Sequence, residues 1–153
     1  MLLERQQFIP IQLNEAWQFF SAPQNLAKIT PEELDFKIIG EFRSSGIRKG
    51  DLIDYIVKPL FRIPMKWKTE ITHVEEPFCF VDEQLEGPYK LWKHAHHFKS
   101  VDGGTMVYDR VEYELPMWPI SKLLLPIVKK KIHDIFDYRA TKMNTLFNTY
   151  DTP

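Results

Sequence analysis

The chain has 153 residues, 44% hydrophobic and 27% charged, with a formal net charge of −1. That length suits one domain over residues 1–153, large enough for a core and a cavity, and the charge balance argues against non-specific nucleic-acid binding, which needs an excess of Lys and Arg. The single cysteine, Cys79, rules out an internal disulfide and fits a reducing compartment.

Met1-Leu2-Leu3-Glu4-Arg5 meets a charge too early for a signal sequence. No stretch reaches the roughly 20 apolar residues of a bilayer span, so the expectation is a soluble, cytoplasmic protein with no integral membrane segment. Residues 2–10 read as a first strand. Asn14 is the expected N-cap of a short helix carrying Trp17, Phe19 and Phe20, with Glu15 near its positive end. Pro23 opens a second short helix holding Leu26 and Ile29, which Thr30-Pro31 ends.

Strands are then expected at 34–42, 51–58, 65–75, 78–85, 90–101 and 105–115. Turn chemistry separates them at Ser44–Gly50, Pro59–Pro64, Glu76-Pro77, Gly87-Pro88 and Gly103-Gly104. Short connections between consecutive strands predict an antiparallel meander. Cys79, between Phe78 and Phe80 with no activating neighbour, reads as a structural strand residue. In the C-terminal third, Val128, Ile132, Ile135, Phe136, Met143, Leu146, Phe147 and Tyr150 recur at helical spacing. Three prolines precede them, so the regular helix is expected to begin near Pro126. The fold class is therefore α+β: a curved antiparallel sheet around a long C-terminal helix, with two short helices after the first strand.

The most informative stretch is 82–98. Period-2 alternation places Trp92, His94, His96 and Phe98 on one face of a strand. Two histidines among aromatics suit a pocket wall better than a plain core. If Gly103-Gly104 is a two-residue turn, opposing positions sum to about 207 by the hairpin rule, and His96 faces Val111 while His94 faces Tyr113. The inner set of the last strand is then Thr105, Val107, Asp109, Val111, Tyr113 and Leu115. The turn at Gly87-Pro88 puts Gln84 near Trp92, Asp82 near His94 and Phe80 near His96, with Asp109 diagonal to His96. Trp67, Thr69 and Ile71 join from strand 65–75, and Tyr55 from strand 51–58. Arg139, on the apolar stripe of the long helix, is placed to neutralise Asp82 or Asp109, since buried carboxylates need partners.

These features together resemble one branch of the START-like, or SRPBCC, superfamily. The resemblance rests on element order, the GPYKLWKHAHHF stretch (87–98), Gly103-Gly104-Thr105 with Asp109, and Ile135-Phe136-Asp137-Tyr138-Arg139. Asn25-Leu26, Ile29-Thr30-Pro31 and Trp67-Lys68-Thr69-Glu70-Ile71 fit the same pattern. This branch is related to polyketide cyclase/dehydrase and coenzyme Q-binding proteins. It implies a helix-grip fold around a hydrophobic pocket that takes a lipid, quinone or polyketide-like ligand.

The expected ligand-binding set is Tyr55, Trp67, Thr69, Phe80, Gln84, Trp92, His94, His96, Phe98, Asp109, Tyr113 and Arg139, with no cofactor. Four readings compete for the polar residues. They form a satisfied internal network, or they orient a ligand. Alternatively His94 or His96 acts as a base with Asp82 as orienter, in a cyclase or dehydratase. His94 and His96 with Asp82 or Asp109 also imitate a two-histidine, one-carboxylate metal site, although the spacing is common by chance and no metal is assigned. A carboxylate-held histidine facing an open cavity would favour catalysis, and a cavity without such contacts would favour passive binding. A filled cavity beside an exposed apolar patch, built from 59–64 and 116–127, would favour a protein-interaction module.

Overall fold

In the computed structural model, which describes residues 1–43, 46–116 and 119–148, seven strands form one antiparallel sheet in the order β1-β7-β6-β5-β4-β3-β2. They are β1 (Leu2–Ile9), β2 (Lys37–Ile39), β3 (Leu52–Val57), β4 (Met65–Glu75), β5 (Cys79–Glu86), β6 (Leu91–Val101) and β7 (Gly104–Glu114). Strands β2 to β7 run as a meander, while β1 closes on β7 at the opposite edge. Helices α1 (Leu13–Phe20) and α2 (Pro23–Leu26) carry the chain from one edge to the other. Helix α3 (Ile120–Asn148) ends the described chain. Register shifts between Lys68 and Thr69 and between Ile71 and His73 break the β4–β5 ladder, and such bulges bend a sheet and increase its twist. The fold is a helix-grip, with α3 laid against the concave face.

Period-2 alternation survives in the burial. Leu3 and Ile9 of β1, Trp67, Thr69 and Ile71 of β4, and His94, His96 and Phe98 of β6 are buried, as are alternate residues of β7 from Thr105 to Tyr113. One core cluster joins Ile9, Trp17, Phe80, Phe98, Val107 and Met143, with Trp17 edge-on to both phenylalanines. A second joins Leu3, Val111, Tyr113, Val128, Ile132 and Phe136. Helix α3 contributes to both and thus grips the sheet along its length. Polar ties reinforce it where β1 runs beneath: Gln7 Nε2 donates to the Ala140 carbonyl at 2.9 Å, and Arg5 donates to Nδ1 of His133 at 2.7 Å.

Several boundaries differ from the sequence reading. Asn14 is not the N-cap of α1; the helix starts at Leu13, and the Glu15 carboxylate accepts from the backbone N–H of Gln12 at 3.3 Å. The expected strand 34–42 shrinks to β2, because Glu32–Leu34 forms a 3₁₀ turn ended by left-handed Asp35. Lys58 and Lys37 hold that carboxylate at 2.8 and 3.2 Å. Helix α3 begins at Ile120, six residues before Pro126, so the proline lies inside the helix, where it forgoes one backbone hydrogen bond and crowds the preceding turn. Leu146 is exposed rather than on the buried stripe. Tyr150, Ser44 and Ser45 lie outside the described residues. His73 and His133, which have no partner evident in the sequence, lie near Glu75 and Arg5.

The β6–β7 turn is centred on Asp102-Gly103, and opposing positions sum to 205, as Val101 with Gly104 shows. This is two fewer than expected, and an even slip leaves every side chain on its predicted face. Gly103 takes φ +81, and a Cβ on Gly104 would lie 2.2 Å from the Ile9 carbonyl oxygen. The first glycine makes the turn; the second lets β1 approach. Gly104→Ala should therefore cost about 1–3 kcal/mol by overpacking against backbone, and Gly103→Ala about 1 kcal/mol by φ strain. Urea unfolding checks both, and no loss at Gly104 would mean that β1 yields easily.

Candidate functional site

Between the sheet and α3 lies a cavity of about 460 Å³, within the usual size of small-molecule sites. Its walls are mostly apolar. At one end Tyr55 stacks on Trp67, which meets Tyr89 and Trp92 at 5.3–5.6 Å between ring centres. The Tyr55 hydroxyl lies 3.3 Å from Thr69 Oγ1, and burial pushes its phenol up, so it stays protonated.

The polar cluster lies on β5, β6 and β7. Phe80 pairs with His96 and Asp82 with His94 across β5–β6, as expected. Across β6–β7, His96 pairs with Asp109 and His94 with Val111 rather than with Val111 and Tyr113. The hydrogen bonds then cross the ladder diagonally. His96 Nε2 donates to Asp82 Oδ2 at 2.7 Å, and His94 Nε2 donates to Asp109 Oδ1 at 2.7 Å. Strand twist brings diagonal neighbours on one face together, so each histidine takes the carboxylate that is not directly opposite it. Asp82 therefore orients His96, not His94. His96 Nδ1 is buried, 3.3 Å from Asp109 Oδ1 but badly aligned for a hydrogen bond. Phe80, His96 and His94 form a column of rings at 4.1 and 3.7 Å, which Phe136 closes edge-on at 5.6 Å.

Arg139 reaches inward from α3 and is 6% exposed. Its guanidinium lies 4.0 Å from Asp109 Oδ1 and between the rings of Phe20 and Phe136 at 5.7 and 5.6 Å. Cation–π attraction there adds to the ion pair. Burial opposes ionisation of both carboxylates, but Arg139 and the histidines win. Asp109 is held well below the usual carboxylate range, and Asp82 is lowered as well. Burial, with His96 alongside, pushes His94 down and keeps it neutral. Burial also opposes charge on His96, yet Asp109 and Asp82 outweigh it and raise its pKa. Arg139 balances one of the two carboxylates, and a proton on His96, which the acids favour, balances the other.

Tyr55, Trp67, Thr69, Phe80, Trp92, His94, His96 and Arg139 line the cavity, as does Asp82. Four expected residues do not. Gln84 Nε2 donates to the Tyr89 carbonyl at 2.6 Å, and its Oε1 accepts from the Tyr89 N–H at 3.2 Å; it pins the β5–β6 turn. Phe98 packs under Trp17, and Tyr113 packs into the second core cluster. Asp109 stands behind His94 and holds it. Period-2 alternation identifies the inner face but cannot say which inner residues the helices cover. Phe20, Tyr89, Ile135 and Phe136 line the cavity without having been singled out for it, though the helical apolar stripe already contained the last two.

Ligating atoms of Asp82, His94 and His96 lie within 4.8 Å of one another. A cation there would sit beside the guanidinium of Arg139, which already offsets the buried carboxylates and repels a second positive charge. Cys79 is buried, and burial raises its thiol pKa, which fits a structural role.

No family model matches the sequence, and no curated protein does. Solved structures do match in fold. Protein Ms6760 from Mycobacterium smegmatis is 16% identical with a TM-score of 0.71, covering 97% of this chain and 92% of that one. Ara h 8.0201 is 13% identical with a TM-score of 0.58, covering 95% and 98%. A nucleoside-diphosphate sugar epimerase from Corynebacterium glutamicum is 22% identical with a TM-score of 0.60, covering 92% of this chain and 28% of that one. At these identities the likeness is one of fold.

The two histidines should titrate apart. In ring NMR spectra His94 should protonate below the ordinary 6.5 and His96 above it. His94 then adds stability that is present above pH 6.5 and lost as pH falls toward its folded pKa. His96 adds stability that is present below pH 6.5 and lost as pH rises through its folded pKa. Asp109→Asn should lower the pKa of His96 and destabilise the fold by about 3 kcal/mol, because it strands the Arg139 charge. Coincident titrations near 6.5 would contradict the network.

Proposed function

We propose that residues 1–153 form a single START-like domain that binds a small, hydrophobic, partly polar molecule between the sheet and α3. The observation that carries this reading is a cavity of about 460 Å³ with aromatic walls and a buried polar cluster, the usual composition of a ligand site. Trp67, Trp92, Tyr55 and Phe80 supply apolar contact, while Thr69, His94, His96 and Arg139 orient the polar end. Asp82 and Asp109 set the histidines from beside and behind. A lipid, quinone or polyketide-like compound fits this chemistry, in keeping with the SRPBCC resemblance.

The carboxylate-held histidines in the cavity wall favour a second reading, acid–base catalysis of cyclisation or dehydration. His94 is neutral and points its Nε2 proton at Asp109, so Nδ1 keeps the lone pair that a base needs. Asp109 would be the positioning residue for His94, and Asp82 for His96.

Native mass spectrometry of the purified protein, followed by denaturing extraction, should release an apolar compound of a size the cavity holds. Ile135→Trp, which fills the cavity from α3, should abolish its retention without loss of the thermal transition. Retention unchanged by that substitution would place the ligand elsewhere. If the second reading holds, His94→Asn should abolish turnover of the identified compound while changing its affinity only a few-fold.

A further inference from the structure

The lining residues that remain exposed to solvent show where the cavity opens. Among the described residues they are Met65, Pro116 and Ile120, so the mouth lies between the β3–β4 connection and the first turns of α3. Both sides of that mouth carry exposed apolar side chains. Phe61 is 66% exposed and Ile63 57% on the connection; Leu123 is 80% exposed and Ile127 47% on the helix. Ile120, Leu123 and Ile127 lie at i, i+3 and i+7, one stripe of α3 adjoining the inward stripe of Leu124 and Val128. The helix is thus apolar over a wider arc than the cavity needs. Leu60, beside the exposed tip, packs on the cluster containing Val128 and Leu124, which ties the two sides together.

The tip itself is strained. Ile63 N–H donates to the Leu60 carbonyl at 3.1 Å across a tight turn. The two central residues, Phe61 and Arg62, have φ of 53 and 57. Glycine or asparagine normally occupies such positions. Here a large apolar residue is held in a costly conformation and turned into water. Charge adds the direction. Residues 58–66 contain Lys58, Arg62 and Lys66, residues 119–133 contain Lys122, Lys129, Lys130 and Lys131, and neither segment has an Asp or Glu. Asp35 and Glu33 from the segment before β2 pair with Lys58 and Lys131, and Asp134, the next residue of α3, pairs with Lys130, while Arg62 and Lys66 stand exposed. In a chain of net charge −1, this asymmetry concentrates positive potential at the mouth.

We propose that this rim docks on an anionic lipid bilayer, with Phe61, Ile63, Leu123 and Ile127 entering the interface and Arg62 and Lys66 meeting the headgroups. An apolar surface edged by cations is what an acidic bilayer selects, whereas a second copy of this chain would bring like charge against like. Docked this way, the cavity mouth faces the acyl layer, and an apolar ligand passes between them without crossing water. The docking stands on the rim alone; only its purpose rests on the ligand-binding reading.

Co-sedimentation of the full chain at low salt, with vesicles of phosphatidylcholine alone or containing phosphatidylglycerol, tests it. Partition should be at least about tenfold stronger on the anionic vesicles and should weaken with added salt. Phe61→Gly with Leu123→Ser should lower partition by at least about tenfold, as expected for removing two large apolar side chains from an interface. Its thermal midpoint should hold or rise, because Gly relieves the left-handed turn. Arg62→Glu with Lys66→Glu should remove the anionic preference. Equal partition on both vesicle types, no partition, or variants that bind like the parent would overturn the proposal. So would a concentration-dependent dimer that the apolar variant dissolves, since the rim would then be covered by a second copy. Titration with a cavity probe such as 1-anilinonaphthalene-8-sulfonate should be unchanged in all the rim variants, so a failure of docking is distinguishable from a failure of the ligand site.

Discussion

Asp82 sits in the wall of a largely apolar cavity and Asp109 is buried behind His94, places where an isolated carboxylate costs several kcal/mol. Much of the surrounding structure answers that cost. The crossed hydrogen bonds to His96 and His94 satisfy one oxygen of each, Arg139 brings compensating charge from α3, and the two acids favour the charged form of His96. Because the partners come from three strands and the helix, the cluster ties α3 to one position over the sheet. Truncating any member leaves another charge stranded, which makes the network a lock on register as well as a feature of the site.

That lock leaves the rest of the cavity free to be apolar. Asp82, His94, His96 and Arg139 are gathered at one place, and Tyr55, Trp67, Tyr89 and Trp92 supply rings elsewhere. A ligand entering such a space has its polar part oriented by the cluster and its body held by ring faces. A reacting group placed against His94 would meet a base already oriented by Asp109. Binding and catalysis therefore draw on the same geometry, and what separates them is the chemistry of the molecule that enters. The rim of the mouth is strained at Phe61 and edged with cations, and on the proposed docking it is the route by which that molecule would arrive.

The face of each strand was legible because alternation is a local property. Trp92, His94, His96 and Phe98 share a face whatever the register, and an error of two in the β6–β7 pairing moved partners without turning a single side chain over. Arg139 was legible for a similar reason, since helical periodicity put a charged residue on an apolar stripe and burial demanded a partner. Gln84 misled because a side chain on the inner face can still spend both its polar atoms on a nearby turn. Phe98 and Tyr113 misled because inner-face residues are shared between a core and a cavity. Where α1 and α3 lie over the sheet decides that division, and neither placement is a local property.

The α+β class, the order of elements, the inward faces and the need for a cation near the buried acids were all determined by the sequence, through period, turn chemistry and the cost of burying charge. Which carboxylate holds which histidine, which aromatics pack and which face open space, and where the cavity meets solvent were decided only in the tertiary structure. These depend on twist and bulges accumulated over seven strands and on the height at which α3 rests above them, and a shift of a few ångströms in either would change them while leaving every local pattern intact.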